Sequence, residues 1–241
     1  METSARIPSL VPVFPLPTVV LFPKALLPLK VFEPRYRAMV KDVLDSYGFI
    51  AMGLLKPGWE KDYFGSPDVF PVVGVGRILE YRSEPDGTYR IVLWGERRAE
   101  IREWVTGRPY RTARVEPVPE EEPAAAGERE ALRERIRTEL NCLISRDEEV
   151  GPEGRSKIEE AVQTADELGF LVDSIAFHFL SDPREKQVLL EARNAIVRER
   201  LLREFLVRHA QIAEDELSGM EEPDEGGGAG DSSAGSGTVR S

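Results

Sequence analysis

The sequence is poor in the residues that build disulfides and metal centres. It contains one cysteine and two histidines among 241 residues. The single cysteine, Cys142, excludes a disulfide within the chain and is typical of a reducing compartment, so we expect a cytoplasmic protein. His178 and His209 lie far apart in the sequence and, with one cysteine, give no metal-ligand spacing. Neither a metal nor a cofactor is therefore predicted.

Long apolar runs are also missing. No run reaches the roughly eighteen apolar residues of a membrane span, so none is expected. The uncharged segment from Leu10 to Pro23 resembles the core of a signal peptide, but its prolines break a helix and no basic cluster precedes it. We interpret this segment as the start of the folded part, after a leader at residues 1–9.

Motifs for nucleotide binding and catalysis are incomplete or absent. The sequence has no Gly-Lys dipeptide and hence no G-x-x-x-x-G-K-[ST] loop to hold phosphates. Val73–Leu79 begins like G-x-G-x-x-G, but Leu79 replaces the third glycine, which favours bends in a strand. The adjacent pair Ser156-Lys157 would point its side chains about 100° apart on a helix, which is unsuited to a catalytic dyad. No catalytic residue is predicted.

The net charge of -11 is carried by the second half of the chain. Residues 1–118 hold 17 Lys/Arg against 14 Asp/Glu, whereas residues 119–241 hold 15 against 29. An acidic chain repels phosphate backbones, which disfavours a nucleic-acid partner. One basic-aromatic cluster in the first half keeps RNA binding as an alternative. Its members are Trp94, Arg97, Arg98, Arg102 and Trp104, with Trp94, Glu96 and Arg98 expected on one strand face.

Residues 10–118 have the pattern of a small β-rich domain with one inserted helix. Pro34 follows Glu33 at the first helical position, and an apolar stripe continues to a terminator at Gly48. That stripe consists of Tyr36, Met39, Val40, Val43 and Leu44. The segments Pro12–Pro17, Val19–Pro23 and Leu26–Phe32 suit edge strands and bends, and strand-like runs follow at Phe49–Leu55, Val72–Arg82, Thr88–Trp94, Ala99–Val105 and Tyr110–Val118. Short strands of this kind predict a closed or semi-closed sheet.

The second half has helical periodicity. A Pro- and Glu-rich linker at residues 119–127 precedes a predicted helical bundle at 128–213. Asp182 followed by Pro183 marks one helix start, and the last helix is expected to begin near Asn194. Residues 214–241 are acidic and then Gly/Ser-rich, a composition that predicts a disordered tail.

Several motifs follow one another in an order that points to one family. They are PVFPLP, VVLFP, LPLKVFEPRYR, VGVGRI, Asp86-Gly87, LWGERRAEI, RPYRTARVE and LVDSIAFHFLSDPREKQVLLE. This order resembles the N-terminal, substrate-recognition domain of ATP-dependent Lon proteases, over about residues 10–210. The resemblance implies an α+β fold, with a PUA-like β-barrel-type domain, one inserted helix and a C-terminal helical bundle.

The resemblance also implies a function. We expect a non-enzymatic polypeptide-binding module, a substrate-recognition domain or adaptor, because the ATPase and Ser-Lys peptidase parts of a full Lon protease have no matching motifs here. Expected partners are unfolded or degron-bearing polypeptides and a protease or chaperone. No membrane partner is expected, and a nucleic acid is disfavoured. An RNA-binding PUA-like module and a Lon-related hydrolase are the alternatives. One cysteine is too few for the zinc domain of cereblon-type relatives.

Aromatic residues in one loop are the predicted peptide contacts. Trp59, Tyr63 and Phe64 lie in the Gly/Pro-containing segment Lys56–Pro71, and the junction between the two halves is the expected groove. In the family motif, Glu33 and Arg35 are expected to pair near the helix start. The aromatic residues Phe22, Phe32 and Tyr36 are expected in the core.

Because the phosphate-binding loop and the catalytic dyad are missing, we expect the purified protein neither to hydrolyse ATP nor to cleave casein. ATP turnover is measured against a heat-inactivated control. Turnover above that control, surviving repurification, would contradict the non-enzymatic interpretation.

Overall fold

The computed structural model describes residues 7–62, 65–121, 125–146, 156, 160 and 167–220. The strands within these ranges are β1 (Leu10–Leu16), β2 (Leu26–Val31), β3 (Phe49–Leu54), β4 (Val72–Ser83), β5 (Tyr89–Val105) and β6 (Thr112–Pro117). The helices are α1 (Pro34–Leu44), α2 (Ala126–Arg146), α3 (Leu168–Phe179), α4 (Pro183–Glu191) and α5 (Ala195–Met220), with a 3-10 helix at Trp59–Asp62. Met1–Leu206 forms one compact unit and Val207–Ser241 a second.

The six strands form one sheet in the order β2-β5-β4-β3-β1-β6, and β5 also pairs with β6. The β1–β3 pair is parallel, and the other pairs are antiparallel. The pairings therefore run in a cycle through β1, β3, β4, β5 and β6, while β2 is attached to β5. The mixed α+β class predicted from the sequence is confirmed.

The strands predicted at Thr88–Trp94 and Ala99–Val105 form one continuous strand, β5, so the expected break is wrong. A β-bulge takes its place. Gly95 pairs with Gly76 and Arg97 pairs with Val75, which leaves Glu96 as an extra residue in β5. A bulge bends a strand without ending it, and it also shifts which side chains share a face.

Helix α1 covers one face of the sheet, as its apolar stripe predicts. Pro34 is its first residue, and the amide of Gly48, at φ +75, donates to the carbonyl oxygen of Val43 at 3.1 Å. The side chains that α1 and the sheet bury together form the sheet cluster. Its members are Phe14, Leu21, Leu27, Val31, Tyr36, Met39, Val40, Val43, Ile50, Met52, Ile91, Leu93 and Tyr110.

The segment Val19–Pro23, for which the sequence favours an edge strand or a bend, crosses the face of the sheet. Two glycines allow this close crossing. A Cβ atom at Gly74 would lie 1.8 Å from the carbonyl oxygen of Leu21, and one at Gly95 would lie 2.0 Å from that of Phe22. The segment lies on a face and not at an edge, so it joins no strand ladder.

The helices pack on this crossing segment. Their buried side chains and three residues of the β-half form the helical cluster, with Val20, Phe22, Leu54, Leu132, Ile136, Leu168, Leu171, Val172, Ile175, Ala176, Leu180, Leu189, Leu190, Ala195, Leu202 and Phe205 as members. The predicted helix starts are confirmed. The Asp182 side chain accepts from the amide of Arg184 at 2.8 Å, and the Asn194 side chain accepts from the amide of Ile196 at 2.9 Å.

Helix α5 ends at Met220, although the sequence predicts disorder from residue 214. Alanine, glutamate and leucine in residues 213–217 are strong helix formers, and they continue the helix that the preceding residues begin. Residues 221–241 lie outside the described part. Among the described residues, no helix combines the length and the apolar character needed to cross a membrane.

We predict that Gly74→Ala destabilises the protein by ~1–3 kcal/mol, because the new methyl group meets backbone that must move. Gly127→Ala is the matched control, since a Cβ there meets no atom within 4 Å. Within α2 this control should be neutral or slightly stabilising. Urea unfolding measures both changes. Equal stability of the two variants would contradict the tight crossing at Gly74.

Candidate functional site

The predicted aromatic loop is only partly described. Trp59 begins the 3-10 helix, is half-buried and packs against a cluster that includes Leu55 and Val69. Tyr63 and Phe64 lie outside the described residues. The base of the loop is closed by the amide of Lys56, which donates to the carbonyl oxygen of Asp68 at 2.8 Å. The peptide-binding role of these aromatics stays a prediction.

The junction between the β-half and the helices is filled by side chains. Phe22 is fully buried and Leu54 is 2% exposed, and both belong to the helical cluster. Partly buried Phe70 and Val72 pack against the same cluster. In the described part of the chain this junction is therefore core and not a groove, so the groove expected there is wrong. The two halves carry complementary apolar surfaces, and their contact removes both from water.

The basic-aromatic cluster does not form one surface. Trp104 is stacked by Arg111, whose guanidinium carbon lies 3.6 Å from the ring centroid. Arg102 donates to Glu116 at 2.8 Å. The bulge at Glu96 ends the simple alternation that placed Trp94, Glu96 and Arg98 on one face. This dispersal gives no support to the RNA-binding alternative.

Arg98 is 3% exposed and belongs to a buried ion network. Its guanidinium donates to Asp173 at 2.6 Å, to the carbonyl oxygen of Leu190 at 2.9 Å and to Glu120 at 3.2 Å. Arg198 is fully buried and contacts the same two carboxylates, with its Nε 3.2 Å from Asp173 Oδ1. The network joins β5, the predicted linker, α3 and α5. Arg98 is thus a structural residue.

Other residues singled out in the sequence have structural positions. Glu33 accepts from Arg35 at 3.0 Å, as expected, but its side chain makes no capping bond to α1. Phe22 and Tyr36 are buried, whereas Phe32 is 63% exposed and the expectation of a core position is wrong. Val31 faces the core at the end of β2, so the next residue is directed away from it. Within the described residues, no group of three His, Cys, Asp or Glu side chains is arranged for a metal ion.

A different surface stands out on β2, β5 and β4, opposite the face that α1 covers. The strand register aligns its side chains in three rows across the strands. The rows are Leu26–Trp94–Arg77, Pro28–Val92–Glu80 and Lys30–Arg90–Arg82. We call these nine residues, with Leu79 from the bulge in β4, the outer sheet face. Leu26 is 51% exposed and Leu79 is 47% exposed.

A groove crosses the outer sheet face between its second and third rows. It has a volume of about 440 Å³. Its lining consists of Pro28, Leu29, Lys30, Glu80, Tyr81, Arg82, Arg90, Ile91 and Val92. One wall is therefore apolar over Pro28 and Val92, and the opposite wall is the cationic row Lys30–Arg90–Arg82. This combination is suited to an extended segment with apolar and polar parts.

The two arginines of the cationic row share one carboxylate. Glu84, in the β4–β5 turn, accepts from Arg90 Nε at 3.2 Å and lies 3.6 Å from Arg82 Nε. In the same turn, hydrogen bonds from Thr88 lower the pKa of Asp86, and the charge of Lys30 adds a weaker effect in the same direction. Asp86 thus stays ionised and holds the turn beside the end of the row.

The chain resembles proteins of one known family along most of its length. The sequence model of the ATP-dependent protease La (LON) substrate-binding domain matches residues 10–208. The chain belongs to this family. The Lon protease of Anaeromyxobacter dehalogenans is 30% identical over 206 residues, which is 86% of this chain and 24% of that protein. Lon protease 2 of Myxococcus xanthus matches with the same identity and coverage. The chain spans about a quarter of the length of these curated relatives.

Solved Lon structures share the fold. The N-terminal domain of Mycobacterium avium complex Lon protease aligns with a TM-score of 0.62 and 21% identity, covering 80% of this chain and 95% of that chain. The Lon N-terminal domain protein from Xanthomonas campestris aligns with a TM-score of 0.53 and 20% identity, covering 82% and 97%. The resemblance inferred from the motifs is confirmed, and the matched region is that of a Lon substrate-binding domain.

Sequence reasoning missed the outer sheet face of this Lon domain. The sequence contains a signal for this face, since Leu26, Pro28 and Lys30 occupy every second position of β2 and therefore point to the same side of the strand. The neighbouring Leu27 and Leu29 are equally apolar, however, so the pattern alone does not tell which set faces solvent. The register with β5 decides this, and it is a tertiary property.

We predict that Asp173→Asn destabilises the domain by ~3–5 kcal/mol, because it removes the charge of the buried carboxylate that Arg98 and Arg198 share and leaves them only the more exposed Glu120. Asp45→Asn makes the same chemical change at an exposed position and is the control. The free energy of unfolding in urea measures both. A loss for Asp173→Asn no larger than for Asp45→Asn would show that the network does not hold the helices to the sheet.

Proposed function

We propose that the chain is a non-enzymatic polypeptide-binding module, a Lon-type substrate-recognition domain or adaptor, and that it binds its clients at the outer sheet face. The observation that carries the proposal is the exposed apolar part of this face, next to the groove. Leu26 and Leu79 are each about half exposed, at 51% and 47%, although they belong to strands whose opposite side is core. Exposed apolar side chains on one face of a sheet favour an interaction surface.

The size of the surface favours weak, reversible binding. Covering a half-exposed leucine contributes roughly 1 kcal/mol, so a segment that covers Leu26, Leu79 and Pro28 gains a few kcal/mol before the cost of ordering it. A gain of a few kcal/mol corresponds to millimolar or weaker affinity from these contacts alone. A recognition domain that passes clients to a protease or chaperone must release these clients as well as bind them.

Side chains of the client, more than its backbone, are proposed to make the contact. Strand β2 lies at the end of the strand order, and sheet edges are the positions at which peptides add as a further strand. Pro28 lies in the middle of β2 and has no N–H to donate, and proline at such positions blocks strand addition. The groove on the face is therefore the preferred contact.

Two finer features complete the proposal. The pairing of β5 with β6 supports a closed, PUA-like barrel made of β1, β3, β4, β5 and β6. Trp59, Tyr63 and Phe64 are proposed as a second peptide contact, formed by a loop between β3 and β4. The proposed clients are unfolded or degron-bearing polypeptides.

We predict that the double variant Leu26→Ser, Leu79→Ser weakens binding of a short, unstructured, apolar peptide about tenfold, because two leucine contacts are lost. Fluorescence anisotropy of the labelled peptide measures the affinity. Leu10→Ser, at a leucine that is 43% exposed on β1, is the control and should bind like the wild type. Thermal melts confirm that each variant is folded. The proposed site is wrong if the control weakens binding as much as the double variant, or if wild-type protein binds no peptide.

A further inference from the structure

The cationic row on the outer sheet face is an unfavourable arrangement for an isolated sheet. Lys30 is directly opposite Arg90, and Arg90 is directly opposite Arg82. Like charges at directly opposite positions in adjacent strands destabilise a sheet. Glu84 offsets part of this repulsion through its contacts with the two arginines. At the β2 side of the row, Lys30 lies near Asp86, whose pKa its charge helps to lower. The three cations of the row thus face the two carboxylates of Glu84 and Asp86, and one positive charge remains in excess.

The neighbouring row places this excess next to apolar surface. Pro28 and Val92 precede Lys30 and Arg90 by one row, while Glu80 stands at the opposite, β4 end. A carboxylate lying over Lys30 and Arg90 is therefore kept away from Glu80. Apolar side chains one or two residues along the same segment reach Pro28, Val92 and Leu26. Apolar and cationic surface thus meet within one groove.

We propose that this groove selects polypeptide segments in which an apolar stretch adjoins acidic side chains. The apolar residues lie over the first two rows of the face, and the carboxylates lie over Lys30 and Arg90. This inference rests on the proposed function, because it specifies the clients of the same surface. Charge complementarity of this kind affects which partner binds more than it affects how tightly that partner binds.

A polypeptide fits these observations better than RNA, the other chemistry with negative charge. Four of the nine residues that line the groove are aliphatic, and Tyr81 is the one aromatic residue among them, so the groove has no row of rings on which successive bases stack. Glu80 and Glu84 flank the cations, and the whole chain has a net charge of -11, which repels a continuous phosphate backbone. A short acidic stretch places its charge on the cations alone.

The test uses the full chain and three labelled peptides that share one apolar core and differ in flanking residues, either Glu, Gln or Lys. At low salt, the Glu-flanked peptide should bind about fivefold more tightly than the Lys-flanked one, with the Gln-flanked peptide between them. The preference should nearly vanish at ~1 M salt, where the Debye length falls to ~3 Å. A labelled single-stranded RNA is the fourth probe.

Two variants of opposite effect make the test specific. Lys30→Glu should remove the preference for the Glu-flanked peptide while keeping affinity for the Gln-flanked one. Glu84→Gln frees the two arginines and should strengthen binding of the Glu-flanked peptide about two- to threefold, a gain that a damaged fold does not produce. Lys41→Glu makes the same charge reversal at an exposed position in α1, outside the groove, and should change nothing.

The outcomes separate this inference from the proposed function. Equal binding of the three peptides, or a preference that Lys30→Glu leaves intact, overturns the charge selection and leaves polypeptide binding standing. Binding of the RNA in place of the Glu-flanked peptide overturns the choice of a polypeptide. Binding of no probe at all overturns the proposed function, and the charge selection falls with it.

Discussion

The close passage of Leu21 and Phe22 over Gly74 and Gly95 is the contact on which the architecture depends. The Leu21 side chain enters the sheet cluster, and the Phe22 side chain enters the helical cluster. One dipeptide thereby belongs to both cores. Its two carbonyl oxygens lie within 2.0 Å of the positions that Cβ atoms at Gly74 and Gly95 would take. Val20 and Phe22 of this segment are buried against side chains of the helices. The sheet is thus covered by α1 on one part and by the helical cluster on another.

Much of this fold is readable from local pattern. Helix α1, its proline start and its glycine end follow from residue spacing, and the side-chain caps at Asp182 and Asn194 mark helices that the structure contains. The failures share a physical cause. The bulge at Glu96, the crossing at Val19–Pro23 and the outward direction of Phe32 are each set by neighbours distant in sequence. Composition and periodicity indicate the secondary structure that a segment favours, but they do not indicate which other segments pack against it.

The candidate site was harder to predict for the same reason. The three rows of the outer sheet face take their members from β2, β4 and β5, and they exist only in one register of these strands. Arg98 shows the converse case. Its sequence neighbourhood of arginine and tryptophan indicated a surface, yet its partner Asp173 lies 75 residues further along the chain. Loop aromatics are visible in a sequence, whereas a cross-strand row is not.

The buried ion network has a consequence for how the chain is made. Synthesis proceeds from the N-terminus, so β5 leaves the ribosome with Arg98 long before its carboxylate partner in α3 has been added. Until then the Arg98 guanidinium stays hydrated, and the sheet surface around Phe22 stays exposed to solvent. Burial of Arg98 becomes favourable only when α3 supplies Asp173, since the guanidinium would otherwise be buried without this carboxylate. A newly made chain thus passes through a stage in which it resembles the unfolded polypeptides that Lon-type domains are proposed to recognise.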